Sequence, residues 1–135
     1  MNSDRVLIDE VTRQFFGAFT NINGKKPAIQ HLKKVCIEQV VIINNNHQVP
    51  AIYSLESFIK PREELLTNGT LIDFSESEIS HTTEIFNTIA HRFCEYKKSG
   101  ILNGVEFYTE GMKTIQFIKL AEEWKISSIA WCDKK

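Results

Sequence analysis

The sequence predicts a single α+β domain, and two observations carry that prediction. In the first third of the chain, apolar residues recur at spacings of three and four, the signature of helices with one buried face. From Leu71 onward the period changes to two and stays there, as consecutive antiparallel strands require.

The elements follow in order. Ile8, Val11, Phe15, Ala18, Phe19 and Ile22 share one face of a helix starting after Ser3, and Asn23-Gly24 offers residues that tolerate positive φ to end it. Pro27 opens a short helical piece running through Leu32. Residues 35–43 are rich in β-branched side chains and stop at Asn44-Asn45-Asn46, so they read as a strand, and 51–53 as a short extended segment. Ser54 is placed to cap a helix carrying Leu55, Phe58, Ile59, Leu65 and Leu66, which Pro61 kinks or restarts and Asn68-Gly69 ends. Four strand segments complete the chain, near 71–86, 89–99, 105–120 and 124–132. No repeat or linker interrupts them, so residues 1–135 form one domain.

Two turns sort the strand faces. A two-residue turn at Asn87-Thr88 sets Thr83 opposite Arg92, His81 opposite Cys94 and Ile79 opposite Tyr96, with Glu84–His91 and Glu78–Lys97 on the other face. A turn at Ala121-Glu122 sets Gln116 near Ser127, Thr114 near Ile129 and Met112 near Trp131.

Composition narrows the function classes. Sixteen Lys and Arg against seventeen Asp and Glu leave a net charge of -1, which argues against nucleic acid as a partner. No apolar run approaches the ~18 residues of a membrane span and no export signal is visible, so a soluble, cytoplasmic protein is expected. Cys36, Cys94 and Cys132 are odd in number and outside any C-x-x-C pair, and His31, His47, His81 and His91 form no trio by spacing. Neither a metal nor another cofactor is therefore expected.

Several segments carry a family resemblance. The run from Phe58-Ile59-Lys60-Pro61-Arg62 to Gly69, then Phe74-Ser75-Glu76-Ser77-Glu78, is similar to a bacterial group of nuclear transport factor 2-like proteins. So are Ile89-Ala90 with Tyr96, Gly111 with Thr114-Ile115-Gln116, and Trp124-Lys125-Ile126 with Ile129 and Trp131. That superfamily includes the SnoaL-like and ketosteroid isomerase-like cone folds. The resemblance implies N-terminal helices packed in a strongly curved antiparallel sheet, a pocket at the open end of the cone, and a homodimer formed through the sheet. The group itself is largely of unassigned function. Two positions depart from its pattern: Asn87, where glycine is usual, and Arg92, where an aliphatic residue is usual.

Arg92 is the more informative departure, because an unpaired guanidinium on a concave apolar face costs several kcal/mol. One answer is a bound anion gripped in bidentate fashion, with Tyr96, His81 and Gln116 as further donors. The plainer answer is an internal carboxylate such as Glu38, or a side chain that snorkels to the rim. His81 is a candidate general base and Tyr96 a candidate oxyanion donor, although a lone histidine is more often structural. Trp131 and Tyr53, with Phe58 and Trp124, are candidates for the wall of an apolar pocket; Glu76 and Glu78, on one strand face, could serve acid–base work or a cation, and read more simply as solvated or dimer-interface charges. Three functions remain in play: a small-molecule-binding protein; a cofactor-independent isomerase, dehydratase or cyclase acting on a small, largely apolar substrate; and a non-catalytic dimeric interaction module. Asp4, Asp9, Asp73 and Asp133 all fall away from mid-strand positions on the expected pocket face, which counts against an aspartate base.

Overall fold

The Ser3 hydroxyl accepts from the Val6 backbone N–H and starts helix α1 (Asp4–Gly17) in the computed structural model, which describes residues 3–135. Ile8, Thr12, Phe15 and Phe16 form its buried stripe; Ile8 and Phe15 were expected there, whereas Val11 is only half-buried and Thr12 and Phe16 take the inner positions. The helix ends at Gly17, earlier than Asn23-Gly24, where residues 22–24 instead make a separate 3-10 turn with Asn23 at φ 57°. Asn21 supplies the reason. Its buried side chain donates to the carbonyls of Leu66 at 2.9 Å and Leu71 at 2.8 Å and accepts from the Phe74 N–H at 2.7 Å, which ties this segment to residues 66–74, some fifty residues on, rather than to another helical turn.

A four-residue helix α2 (Leu32–Val35) leads into strand β1 (Cys36–Asn44) and the short β2 (Ala51–Tyr53). Helix α3 (Leu55–Thr67) begins with a reciprocal cap between Ser54 and Ser57. It carries Pro61 in its interior, where the missing N–H leaves the Ser57 carbonyl without its helical donor. Strands β3 (Leu71–Phe86), β4 (Ile89–Leu102), β5 (Val105–Leu120) and β6 (Glu123–Asp133) form the antiparallel meander.

The sheet order is β2-β1-β6-β5-β4-β3. β1 runs parallel to β6 while every other pairing is antiparallel, so the curved, unclosed sheet is mixed, where a wholly antiparallel one was expected. The core lies between its inner face and the helices: Ile8 and Phe15 from α1 meet Ile42, Tyr96, Ile115 and Ile129 from the sheet, all essentially without solvent exposure.

The register shows where sequence patterning fails. The turn at Asn87, with φ 51°, does set Thr83 opposite Arg92 and His81 opposite Cys94. A bulge at Ile79 then shifts the pairing, so that Glu78 and not Ile79 lies opposite Tyr96, and Ser77 takes Lys97. Because side chains alternate with period two, this single extra residue turns Glu76 and Glu78 inward, whereas the regular pattern puts them outside. A second irregularity, at Ser127, sets Gln116 opposite Ser128, Thr114 opposite Ala130 and Met112 opposite Cys132. Lys113 becomes the residue beside Trp131, and the Ser127 hydroxyl donates to the Gln116 carbonyl at 3.2 Å.

Candidate functional site

Arg92 lies on the inner face with 3% of its side chain exposed, and its compensation comes from within the chain. Glu78 takes it in bidentate fashion, accepting from Nε at 2.8 Å and Nη2 at 2.6 Å, while Nη1 donates to Asp9 Oδ1 at 2.7 Å and Thr83 Oγ1 at 3.1 Å. The partners are thus Glu78 and Asp9, and not Glu38, which is exposed on β1. Burial presses the guanidinium pKa down, but the hydrogen bonds and charges of Glu78 and Asp9 outweigh it and leave the value raised.

The other sequence candidates disperse. Tyr96 is fully buried and its hydroxyl donates to Asp133, which itself pairs with Lys98 at 3.2 Å. Burial and the Asp133 carboxylate push the phenol pKa well above its ordinary value. His81 is exposed on the edge strand β3, with Nδ1 3.0 Å from Thr83 Oγ1. Gln116 is exposed on the convex face beside His91 and Ser128. Trp124 donates its indole N–H to Asp4 Oδ1 at 3.0 Å and anchors the start of α1.

Trp131 and Tyr53 do come together. They line a cavity of about 500 Å³ between α1, α3 and the inner face of the sheet, with Phe15, Phe19 and Phe58. These rings meet edge to face: Phe58 lies 5.7 Å from Tyr53, 6.0 Å from Phe19 and 6.0 Å from Trp131, so the wall is braced by its own packing.

The polar groups in this cavity include three that sequence reasoning did not place there: Lys113, Glu76 and Arg62. Lys113 is 4% exposed and pairs with Glu76, itself 8% exposed, at 3.2 Å. Its Nζ sits 4.6 Å from the Tyr96 ring centre and 4.8 Å from that of Trp131. Arg62 enters from α3, with Cζ over the Phe58 ring at 3.8 Å, 4.9 Å from the Tyr53 ring centre and 6.0 Å from that of Trp131. Burial holds its pKa below the ordinary arginine value, opposed by Tyr53 and by the charge of Glu76. The signal for Arg62 was present in the sequence: it follows Phe58 by four residues and therefore shares its helical face. Glu76 and Lys113 were hidden by the bulges.

Among the described residues, no group of three or more His, Cys, Asp or Glu is placed to hold a metal, and no helix is long and apolar enough to cross a membrane.

No protein-family model matches this sequence, and neither does any curated protein. Solved structures do match its form. A nuclear transport factor 2-like protein of unknown function from Prochlorococcus superposes with a TM-score of 0.77 at 13% identity, over 99% of this chain and 95% of the other. A nuclear transport factor 2-like superfamily protein from Salmonella enterica gives 0.73 at 9% identity, over 96% and 92%. A type 2 hexachlorocyclohexane dehydrochlorinase, LinA, gives 0.74 at 12% identity, over 97% and 85%. These matches define the class: an α+β cone with helices set in a curved sheet. In particular, the chain has the nuclear transport factor 2-like fold.

Proposed function

We propose that the protein binds a small molecule in the aromatic-walled cavity between α1, α3 and the sheet. The observation that carries this reading is a preformed hollow of about 500 Å³, lined by braced rings with a few convergent polar groups, which is the usual make-up of a small-molecule site. A cofactor-independent isomerase, dehydratase or cyclase has less support. Glu78 is engaged by Arg92, Tyr96 is engaged by Asp133, and His81 lies outside the cavity lining.

We also propose a homodimer through the convex sheet face, where Phe93 and Val41 are exposed beside Ile43 and Ala130. A cytoplasmic setting suits the three free thiols.

Native mass spectrometry of the purified protein tests both parts. The expected result is a dimer whose mass includes, or takes up on incubation with an aromatic fragment mixture, one small molecule per chain. A bare monomer that takes up nothing, with Trp131→Ala behaving the same, overturns the reading.

A further inference from the structure

We propose that the cavity selects organic acids: the ligand is a small carboxylate with a flat apolar body, and Arg62 grips its carboxylate. This rests on the cavity being the ligand site.

The argument is one of charge accounting around a single hollow. Three cations, Arg62, Lys98 and Lys113, line the cavity with one carboxylate, Glu76. Lys113 is neutralised by Glu76 at 3.2 Å, and Lys98 by Asp133 at 3.2 Å. For Arg62 no carboxylate among the described residues lies within 4.0 Å. Its partners among the described residues are neutral: Nη1 donates to the Phe58 carbonyl at a long 3.3 Å, and the Tyr53 side chain also interacts with it.

Geometry sharpens the choice of anion. With Cζ only 3.8 Å from the Phe58 ring centre, the face of the guanidinium is covered by an aromatic ring. What faces a ligand is the guanidinium edge: beyond the Nη1 bond to Phe58 and the contact with Tyr53, its in-plane N–H donors have the fork shape that matches a carboxylate through two parallel hydrogen bonds. The setting also strengthens such a pair, because the aromatic wall lowers the local polarity around a cation with no carboxylate among the described residues in direct contact. Arg92 shows the satisfied state of the same group within this chain, with Glu78 docked on its fork at 2.6 and 2.8 Å. The rest of the lining, Phe15, Phe19, Phe107 and Trp131, suits a planar apolar body.

The test uses the full chain and matched probes: 1-naphthoate, indole-3-acetate and 4-phenylbutyrate, each against its own primary amide, titrated by calorimetry and by amide-resonance shifts. Each acid is expected to bind about 10-fold or more tightly than its amide, as loss of a charge-assisted pair implies. Arg62→Gln should lose more acid affinity than amide affinity, closing the gap between the two series, while an amide-resonance map matching that of the parent away from residue 62 shows that the variant's cavity is intact. Arg62→Lys should fall between the two. Amides binding as tightly as acids, or acids binding Arg62→Gln as well as they bind the parent, overturns carboxylate selection and leaves the cavity as a ligand site of other chemistry. Failure of both series to bind overturns the ligand-site reading itself.

Discussion

Removing Glu78 should destabilise the protein more than removing Asp9, although both carboxylates touch the same guanidinium. Glu78→Ala takes away two of the four side-chain hydrogen bonds of Arg92, whose own side chain is 3% exposed. Water has little access to replace them. Breaking a buried pair from one side costs about 3–5 kcal/mol, and the lower end applies because Asp9 and Thr83 remain bonded. For a chain of this length, about 3 kcal/mol corresponds to a drop in Tm of roughly 10 °C. The Asp9 side chain is 48% exposed, so Asp9→Ala lets solvent in and should cost about 1 kcal/mol. The double variant Arg92→Met/Glu78→Met carries no buried charge and should recover most of what Glu78→Ala loses. Urea unfolding monitored by tryptophan fluorescence ranks the three. Equal losses for Glu78→Ala and Asp9→Ala, or a double variant no more stable than Glu78→Ala, would refute the assignment of a buried ion cluster beneath α1.

Three further outcomes follow from local geometry. At Gly111 an added Cβ would stand 2.6 Å from the Cys132 carbonyl oxygen and inside contact distance of the Tyr96 hydroxyl, so Gly111→Ala should cost about 2–3 kcal/mol in urea unfolding, and a loss below 0.5 kcal/mol would contradict the close strand crossing. Burial pushes the Cys36 and Cys94 thiols up to about 12, so iodoacetamide on native protein at neutral pH should modify the exposed Cys132 alone, with all three cysteines labelled after denaturation; native labelling of Cys36 or Cys94 at the Cys132 rate counts against the core packing. The Trp124 indole N–H and the Lys119 ammonium hold the Asp4 carboxyl below its ordinary value. A depressed folded-state pKa favours the fold above the ordinary aspartate value, and that contribution is lost as pH falls through the folded value. Carbon-detected NMR titration should therefore find Asp4 ionised below the pH at which an unperturbed aspartate protonates, and Asp4→Asn should flatten the acid limb of stability; a midpoint at or above the ordinary value refutes the contact.

Most of the fold was legible because its elements announce themselves locally. The Ser54 cap, the turn cluster after β1 and the Asn87 turn each act within a few residues, and the change from helical to strand period at Leu71 marks the order of layers. Strand pairing across the meander was legible only as far as the first irregularity. From the Asn87 turn, register holds back to Ser80 and is lost at Ile79; from the Ala121 turn, it holds to Ile126 and is lost at Ser127. Bulges are set by what the two faces must bury rather than by any local residue signal. Here the bulge at Ile79 brings Glu76 to Lys113 and Glu78 to Arg92, contacts made between strands rather than within one. The parallel pairing of β1 with β6 was illegible for the same reason, since it joins strands nearly ninety residues apart.

The two arginines show why periodicity drew attention to Arg92 and passed over Arg62. A charge inside a strand pattern stands out, because every second residue of a half-buried strand is expected to be apolar, and Arg92 breaks that rule. A charge on an amphipathic helix raises no such flag, since most helical surface is solvated, and Arg62 sits in a run with Lys60, Glu63 and Glu64 that reads as ordinary polar surface. In the folded chain the meaning is reversed. Arg92 meets Glu78 and Asp9 and is a structural cation, whereas Arg62 meets three aromatic rings and no carboxylate partner among the described residues. What distinguishes the two cations is the supply of counter-charge, a property of strand register and helix docking together. Sequence periodicity reports burial of a single element. It therefore detects the cation whose anomaly lies in its own strand and passes over the one whose anomaly exists only once α3 is laid against the sheet.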